Sequence, residues 1–337
     1  MTSLKTRFMG LELKNPVIVG ACNLSTNQDY LRKMEEAGAA AVVLKSLFEE
    51  QIQLESYQME KEMDEYSERH AEMTSLFPAM QHAGPKEHLM MVKNAKKAVT
   101  IPVIASLNAV YRETWLEYAK LLEGTGVDGL ELNFYAVPRD LSKTGDSIEQ
   151  EQIEILKEIK KSISIPVCVK LSHFYTNPLN LISQMDKAGA DGFVVFNRLF
   201  QIDIDPDKET HTIHLSMTSE DDNKVPMRAA GLLYGNIKAG ICSNTGIYNG
   251  IDVIKMILAG ADCVQVVGTL YKNKITHISK ILSDIESWME SKKYKSFEDF
   301  RGKLSKNNIK DPFVFKRAQY VDLLMKSDQI FKKQGLL

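Results

Sequence analysis

Short, continuous runs of apolar residues recur along the chain, and each follows a glycine turn. Four of these runs read GAAAVVLKS from Gly38, GVDGLELN from Gly126, GADGFVVFN from Gly189 and GADCVQVVGT from Gly260. The stretches before them, such as residues 115–122, 179–187 and 253–258, carry apolar residues at helical spacing. Helix, glycine turn and buried strand form the second half of a βαβ unit, so the pattern predicts a repeated α/β fold.

Four further runs complete the predicted strands. Two begin at the Ile-Pro pairs of Ile101 and Ile165, where proline ends a loop and β-branched residues start a strand. With Val17–Ala21 and Ile237–Ser243, the chain has eight candidate strands, all continuously apolar, as expected when helices cover the sheet. The count predicts a TIM (β/α)8 barrel. A doubly wound sheet is the alternative, but its glycine-rich dinucleotide turn does not follow the first strand.

Two longer segments interrupt this alternation at the carboxyl ends of predicted strands. Residues 48–82 are rich in Glu, Met and Tyr, and residues 198–226 contain the acidic run 220–222. Loops at these ends build the active site of a barrel, so both insertions are lid candidates, with a surface or dimer-contact role as the alternative. Residues 275–289 are predicted to form the last barrel helix and residues 296–337 a helical tail. No linker divides the chain, which predicts one domain over residues 1–337.

Composition narrows the class of protein. The chain is 44% hydrophobic and 26% charged, as in ordinary globular proteins, and its net charge of -2 provides no positive field for nucleic acid. Residues 1–10 lack the apolar core of a signal peptide, and no apolar run approaches the ~20 residues that span a bilayer. We therefore expect a cytoplasmic protein that acts on a small molecule without a membrane partner. A homodimer is left open.

Neither the cysteines nor the histidines form a metal-binding pattern. Cys22, Cys168, Cys242 and Cys263 form no C-x-x-C pair, which predicts reduced, mostly buried thiols rather than a zinc or iron–sulfur site. His211 and His214 have i, i+3 spacing, but on a hairpin they would not share a face, so exposure to solvent is favoured. No metal site is predicted.

Polar and small residues gather at the carboxyl ends of the predicted strands, where a barrel builds its active site. They are Ala21, Cys22, Asn23, Lys45, Ser46, Ser106, Asn108, Asn133, Lys170, Ser172, Asn197, Ser243, Asn244, Gly268 and Thr269. Amides and hydroxyls suit the edge of an isoalloxazine ring, and a lysine near N1 would stabilise the anionic reduced flavin. The turn 244–247 and the Gly268-Thr269 pair follow strands seven and eight, where barrels commonly bind phosphate. Ordinary turn chemistry is the alternative for either pair alone.

At these residues the chain resembles the dihydroorotate dehydrogenase family, in its class 1 branch, over roughly residues 9–304. The similar segments are GLELKNPVIVGA from Gly10, Lys45-Ser46, the Asn108 loop, Asn133, Val169-Lys170-Leu171, Asn197, Asn244-Thr245-Gly246-Ile247 and Gly268-Thr269. The resemblance implies an FMN oxidoreductase of pyrimidine biosynthesis that converts dihydroorotate to orotate. In that family a base on the strand-four loop takes the C5 proton, and the C6 hydride goes to flavin N5. The implied FMN contacts are Gly20, Ala21, Lys45, Ser46, Asn108, Asn133, Lys170, Asn197, Gly246, Gly268 and Thr269.

The chain departs from the family where the substrate would bind. The strand-four loop usually reads Asn-Leu-Ser-Cys-Pro-Asn or a close variant, with Cys or Ser as the base, whereas residues 133–138 read NFYAVP. Ala136 therefore occupies the base position, and Pro138 replaces a substrate-binding amide. A loop of the Asn-Ser-Met-Gly-Leu-Pro-Asn type corresponds only to SLFPAMQ at residues 75–81. The resemblance thus implies retained FMN recognition and altered orotate recognition.

Several alternatives follow from these departures. His173 is a candidate replacement base, because an unperturbed imidazole titrates near pH 6.5, while Tyr135 would need a strongly lowered pKa. Lys45 and Lys170 are the other candidate catalytic residues. They would also suit a Schiff-base aldolase, a rival to an FMN oxidoreductase acting on another substrate and to a flavin-binding protein without turnover. Fumarate, NAD through a partner subunit and oxygen are all open as electron acceptors.

Overall fold

The computed structural model describes residues 2–53, 85–135, 140–198, 202–212, 217–333 and 335. The chain begins with an antiparallel hairpin of β1 (Thr6–Phe8) and β2 (Leu11–Leu13). Phe8 of this hairpin is buried against Gly192 and Gly240. A Cβ at either glycine would come within 3.0 Å of the Phe8 ring, so the ring fills the space that a side chain would need. The hairpin therefore closes the amino end of the strands that follow.

A closed ring of parallel strands forms the centre of the molecule, as the apolar runs predict. The strands are β3 (Val17–Val19), β4 (Ala41–Val43), β5 (Leu47–Phe48), β6 (Val103–Asn108), β7 (Gly129–Phe134), β8 (Val167–Leu171), β9 (Gly192–Val195), β10 (Asp203–Asp205), β11 (Thr210–Thr212), β12 (Gly240–Asn244) and β13 (Cys263–Val266). The ring runs β3, β4, β6, β7, β8, β9, β12, β13 and back to β3, so the eight predicted strands close into a TIM barrel. The short β5 extends the β4 side of β6, and β10 pairs with β11 in an exposed hairpin.

Helices surround the barrel and follow the predicted alternation. They are α1 (Gln28–Glu36), α2 (Lys86–Ala98), α3 (Arg112–Glu123), α4 (Gly145–Ser162), α5 (Pro178–Lys187), α6 (Lys224–Leu233), α7 (Gly250–Ala259), α8 (Gly268–Asn273), α9 (His277–Ser291), α10 (Ala318–Met325) and α11 (Ser327–Lys333). Helices that pack on the barrel bury an apolar stripe, as in α5, where Leu181, Ile182 and Met185 are buried, whereas α10 and α11 bury no residue. The described helices include none that is long and apolar enough to cross a membrane.

Some predicted boundaries differ from the structure for identifiable reasons. The seventh strand begins at Gly240 rather than Ile237, because the Asp186 carboxylate accepts the backbone N–H groups of Lys238 and Ala239 at 3.0 and 2.8 Å. The insertion predicted to end at residue 226 stops earlier, since α6 begins at Lys224. The predicted helical tail is helical only in part: residues 300–310 form turns and bends.

The first insertion is tied to the barrel at its start. Glu49, at the start of the first insertion, is buried and accepts the backbone N–H groups of Val110 and Tyr111 at 2.7 and 3.1 Å. This carboxylate pairs backbone donors just ahead of α3, as an N-terminal capping group does. Residues 54–82 of that insertion lie outside the described ranges.

Candidate active site

The barrel interior is divided into an apolar and a polar half. The half next to the hairpin is filled by a cluster made of Phe8, Met9, Leu13, Ile18, Ala40, Ala41, Val43, Ile104, Cys168, Val194, Cys242 and Cys263. The carboxyl half instead holds buried polar side chains, namely Ser46, Ser106, Asn108, Glu131, Asn133, Lys170 and Gln265. Burying so many polar groups is unfavourable unless they are paired, so their partners indicate what this end of the barrel is built to do.

A row of amides crosses three of the strand ends. Asn108 on β6 donates from Nδ2 to the backbone carbonyl of Asn133 on β7 at 2.9 Å. Asn197, just after β9, donates from Nδ2 to Oδ1 of Asn133 at 2.8 Å, and its own backbone N–H is bonded to Leu171 on β8. The three amides predicted from the sequence are therefore brought together and fixed in orientation.

Lys170 lies beside this row in a buried charged cluster. Its Nζ is 3.7 Å from Oε1 of Glu131 and donates to Oε1 of Gln265 at 3.3 Å. Gln265 in turn donates from Nε2 to the second oxygen of Glu131 at 2.6 Å. The side chains of Lys170 and Glu131 are 6% and 0% exposed, so the ion pair is shielded from water. Ser106 adds a longer bond to Glu131 at 3.4 Å and shares a 2.7 Å bond with Ser46.

Glu131 and Gln265 are functional candidates that the sequence reasoning missed. Both lie inside apolar strands, whereas the sequence prediction considered only polar residues at the strand ends. A signal was available, because residues two apart on a strand share a face. Glu131 is two positions before Asn133 on β7, so it had to face the barrel interior with that amide.

The two predicted phosphate turns are covered by the end of the second insertion. A Cβ at Gly246, where φ is +71°, would lie 2.5 Å from the backbone nitrogen of Asn223 and 2.8 Å from the carbonyl of Ser219. A Cβ at Gly268 would lie 2.9 Å from the hydroxyl of Tyr248 and 3.2 Å from that of Thr218. Glycine at position 246 is thus required by its positive φ and by the backbone of residues 219–223, whereas at Gly268 the nearest atom is the Tyr248 hydroxyl. These residues belong to the second insertion, which the sequence predicts as a lid candidate, and their contacts with the two turns come from the fold.

Two further contacts define these turns. Asn223 is fully buried and donates to the carbonyl of Gly246 at 3.3 Å and to Asp252 at 3.1 Å. The hydroxyl of Thr269 donates to the carbonyl of Tyr248 at 3.0 Å, so it is used within the protein, and only its backbone remains for the predicted phosphate contact. At the first strand, a Cβ on Gly20 would lie 3.2 Å from Oε1 of Gln265, which places Gly20 and the adjoining, partly buried Ala21 beside the charged cluster.

Lys45 occupies a different part of the site. It is half-buried after β4 and lies near His88 of α2. Burial, together with the charge of Lys45, lowers the pKa of His88 to about 4. The Nε2 atom of His88 is buried and has no hydrogen-bond partner within the part of the chain that the structure describes. Sequence reasoning did not identify His88, because its neighbour lies more than forty positions away.

The low pKa of His88 makes stability depend on pH. The unfolded chain takes up this proton near pH 6.5, whereas the folded chain does so only near pH 4. The free energy of unfolding should therefore fall as the pH drops from 6.5 towards 4, by roughly 3 kcal/mol at most. We expect His88→Gln to flatten this dependence in urea unfolding measured at pH 7 and pH 5. His211→Gln, at an exposed position, is the control, and an equal pH dependence in all three proteins would contradict the assignment.

The candidate bases His173 and Tyr135 differ in their exposure to solvent. His173 is exposed just past β8, with its ring centroid 4.2 Å from that of Phe174 and 6.2 Å from that of buried Phe196. Tyr135 follows β7 and is partly buried. Ala136, Pro138 and the 75–81 loop lie outside the described residues. The same is true of His214, while His211 is exposed on β11.

The thiols behave as the sequence predicts. All four cysteines are free; Cys168, Cys242 and Cys263 are buried, and Cys22 is partly buried. Burial raises the pKa of the Cys22 thiol above its usual value. Among the described ranges, no group of three His, Cys, Asp or Glu side chains is arranged to hold a metal ion.

The donor set at the carboxyl end fits a flavin nucleotide. The ring edge of a flavin needs both donors and acceptors, which the fixed amides supply, and its reduced form is an anion, which the buried lysine would stabilise. The glycine turns after β12 and β13 leave backbone groups at the positions where barrels bind phosphate. An eight-stranded barrel with buried amides and a buried lysine at its carboxyl end is typical of a barrel enzyme that uses a cofactor.

Comparison with known proteins identifies the family. The sequence pattern of the family described as "Dihydroorotate dehydrogenase" matches residues 79–289, and the chain belongs to that family. The resemblance seen in the strand-end residues is thereby confirmed. Membership places the chain among the flavin-dependent oxidoreductases that act on CH–CH bonds.

Individual relatives are distant but cover nearly the whole chain. Proteins from Thermoplasma volcanium and Methanocaldococcus jannaschii, both called "Dihydroorotate dehydrogenase B (NAD(+)), catalytic subunit", are each 26% identical, over 312 and 296 residues. The first alignment covers 90% of this chain and 98% of the relative, and the second covers 85% and 94%. A protein from Aeropyrum pernix, called "Putative dihydroorotate dehydrogenase A (fumarate)", is 26% identical over 318 residues, 89% of this chain and 96% of that protein.

Proposed function

We propose that the chain binds FMN at the carboxyl end of the barrel and oxidises a CH–CH bond of a dihydroorotate-like small molecule. The observation that carries this proposal is the buried ammonium of Lys170, held between Glu131 and Gln265 next to the amide row. A buried cation beside fixed amides matches the needs of a flavin, whose reduced form carries negative charge near N1. FMN, when bound, would accept the hydride.

The residues proposed to hold FMN come from all eight barrel strands or the turns after them. They are Gly20, Ala21, Lys45, Ser46, Asn108, Asn133, Lys170, Asn197, Gly246, Gly268 and Thr269. Lys170 would place its charge against the N1 and C2 edge, and the amides would orient the ring. The glycine turns and the backbone of Thr269 would receive the phosphate, under the cover of residues 218–223.

The substrate follows less directly from the family. Oxidation of dihydroorotate requires a base that removes the C5 proton, and Ala136 stands where the family has Cys or Ser. We therefore propose slow turnover of dihydroorotate itself, with His173 as the candidate replacement base. The second candidate function is FMN-dependent oxidation of a different substrate. It is favoured by Ala136 together with Pro138 and the altered 75–81 loop, since all three departures concern substrate contacts.

The Schiff-base aldolase alternative is disfavoured at Lys170. A Schiff base requires a neutral amine as nucleophile, and the Lys170 ammonium is paired with a carboxylate and bonded to Gln265. Borohydride treatment with a carbonyl substrate tests this directly. We expect no trapped adduct at Lys170 or Lys45 by mass spectrometry, and a covalent adduct at either would favour the aldolase.

The direct test of the proposed function is flavin content. We expect the purified protein to be yellow, to show flavin absorbance, and to release about one FMN per chain on denaturation. Anaerobic addition of dihydroorotate should then bleach the flavin slowly, and reoxidation by fumarate, NAD or oxygen, measured separately, identifies the acceptor. Protein that is colourless and stays flavin-free after incubation with FMN would refute the proposal.

A further inference from the structure

We propose that Glu131 is a positioning residue that acts through Lys170 and, with Gln265, sets the net charge that a bound flavin meets. This inference rests on the proposed FMN site and deepens it. Glu131 lies two positions before Asn133 on β7, and Asn133 is paired in register with Lys170 on β8. The carboxylate is therefore one step deeper in the barrel than the strand-end amides.

The contacts around Glu131 form a closed triangle. One carboxylate oxygen is 3.7 Å from the ammonium of Lys170, the other accepts Nε2 of Gln265 at 2.6 Å, and Oε1 of Gln265 accepts Lys170 at 3.3 Å. Each member thus contacts the other two, across strands β7, β8 and β13. A lysine side chain has four rotatable bonds, and this arrangement holds its charge in one place.

The triangle also determines how much of the Lys170 charge is compensated by the Glu131 carboxylate. The Glu131 side chain is fully buried and that of Lys170 is 6% exposed, so the two charges interact with little screening by water or salt. Neutralising Glu131 would leave the Lys170 cation without its counter-charge. A reduced, anionic flavin near that cation would then be stabilised more strongly than in the natural protein, while a neutral oxidised flavin would gain little.

The test is the midpoint potential of bound FMN in Glu131→Gln, measured by anaerobic reduction against reference dyes, with FMN affinity measured separately for oxidised protein. Glutamine keeps the shape of the side chain and an acceptor for Gln265. We expect binding of reduced FMN to tighten about tenfold or more relative to oxidised FMN, as for loss of a charged hydrogen-bond partner. Tenfold corresponds to a rise of about 30 mV for a two-electron couple. Glu131→Asp should restore most of the natural potential.

The controls separate positioning from general structure. Glu154→Gln removes a carboxylate from the surface pair with Lys157 on α4 and should leave the potential unchanged. In a Lys170→Ala background, adding Glu131→Gln should raise the potential by less than it does in the natural protein, because only the direct effect of the lost carboxylate charge on the flavin is left once the lysine is absent. This charge-neutral pair also keeps the test available if Glu131→Gln alone does not fold.

The experiment distinguishes failure of the proposed function from failure of this inference. A natural protein that takes up no FMN refutes the proposed function and this inference with it. A natural protein that binds FMN, with an unchanged potential in Glu131→Gln, refutes the role of Glu131 alone and leaves the flavin site standing. Equal weakening of oxidised and reduced FMN in that variant also refutes it, since that result indicates a structural role only.

Discussion

Replacing Ala136 by cysteine is expected to accelerate flavin reduction by dihydroorotate, by up to about 10²–10⁴-fold. The family's base stands three positions after the strand-four asparagine, which here is Asn133, buried in the amide row. A thiolate or alkoxide at that position would remove the C5 proton that alanine cannot remove. The rate is measured by anaerobic stopped-flow absorbance of the flavin, for Ala136→Cys and Ala136→Ser.

Two controls decide how this result is read. Ala136→Val changes the size of the side chain without adding a base and should give no acceleration. His173→Ala, measured in the natural background, tests whether the exposed imidazole, tilted against the Phe174 ring, already serves as the base. A large loss of rate in His173→Ala would overturn the argument that the natural chain lacks a base. No acceleration in Ala136→Cys would mean that Pro138 and the 75–81 loop have removed the dihydroorotate pocket, which favours the second candidate function.

Lys170→Ala is the second change with a large expected effect. Removal of the lysine leaves the fully buried Glu131 without its counter-charge, and breaking a buried ion pair in this way typically costs about 3–5 kcal/mol of stability. The variant should also bind FMN more weakly or reduce it more slowly, because the cation proposed to lie near N1 is absent. Urea unfolding and FMN titration measure the two effects separately. Lys157→Ala, at a half-exposed surface pair, should change stability by less than about 1 kcal/mol.

A double variant separates the effect of Lys170 on stability from its effect on flavin binding and reduction. In Lys170→Ala with Glu131→Gln, no unpaired carboxylate is left in the barrel, so much of the lost stability should return. The flavin effect should persist, because the cation is still absent. A Lys170→Ala variant that keeps the natural stability, FMN affinity and reduction rate would show that the lysine has neither role.

The sequence alone determined the barrel, because a buried parallel strand can be recognised from a short run of neighbouring apolar residues. Each of the eight apolar runs became a barrel strand, and the polar residues at their carboxyl ends came together since parallel strands present those ends on one side. Asn108, Asn133 and Asn197 form one hydrogen-bonded row for this reason. Boundaries were less accurate where a distant side chain intervened, as Asp186 does at the start of β12.

The tertiary structure alone decided which polar groups are partners. Gln265 and Glu131 are 134 positions apart, and only closure of the ring brings them into contact with each other and with Lys170. The packing of residues 218–223 on the glycine turns and the approach of His88 to Lys45 arise in the same way, from elements that meet only in the folded barrel. Strand formation depends on the local run of residues, whereas pairing across the barrel depends on register and closure, which no local pattern encodes.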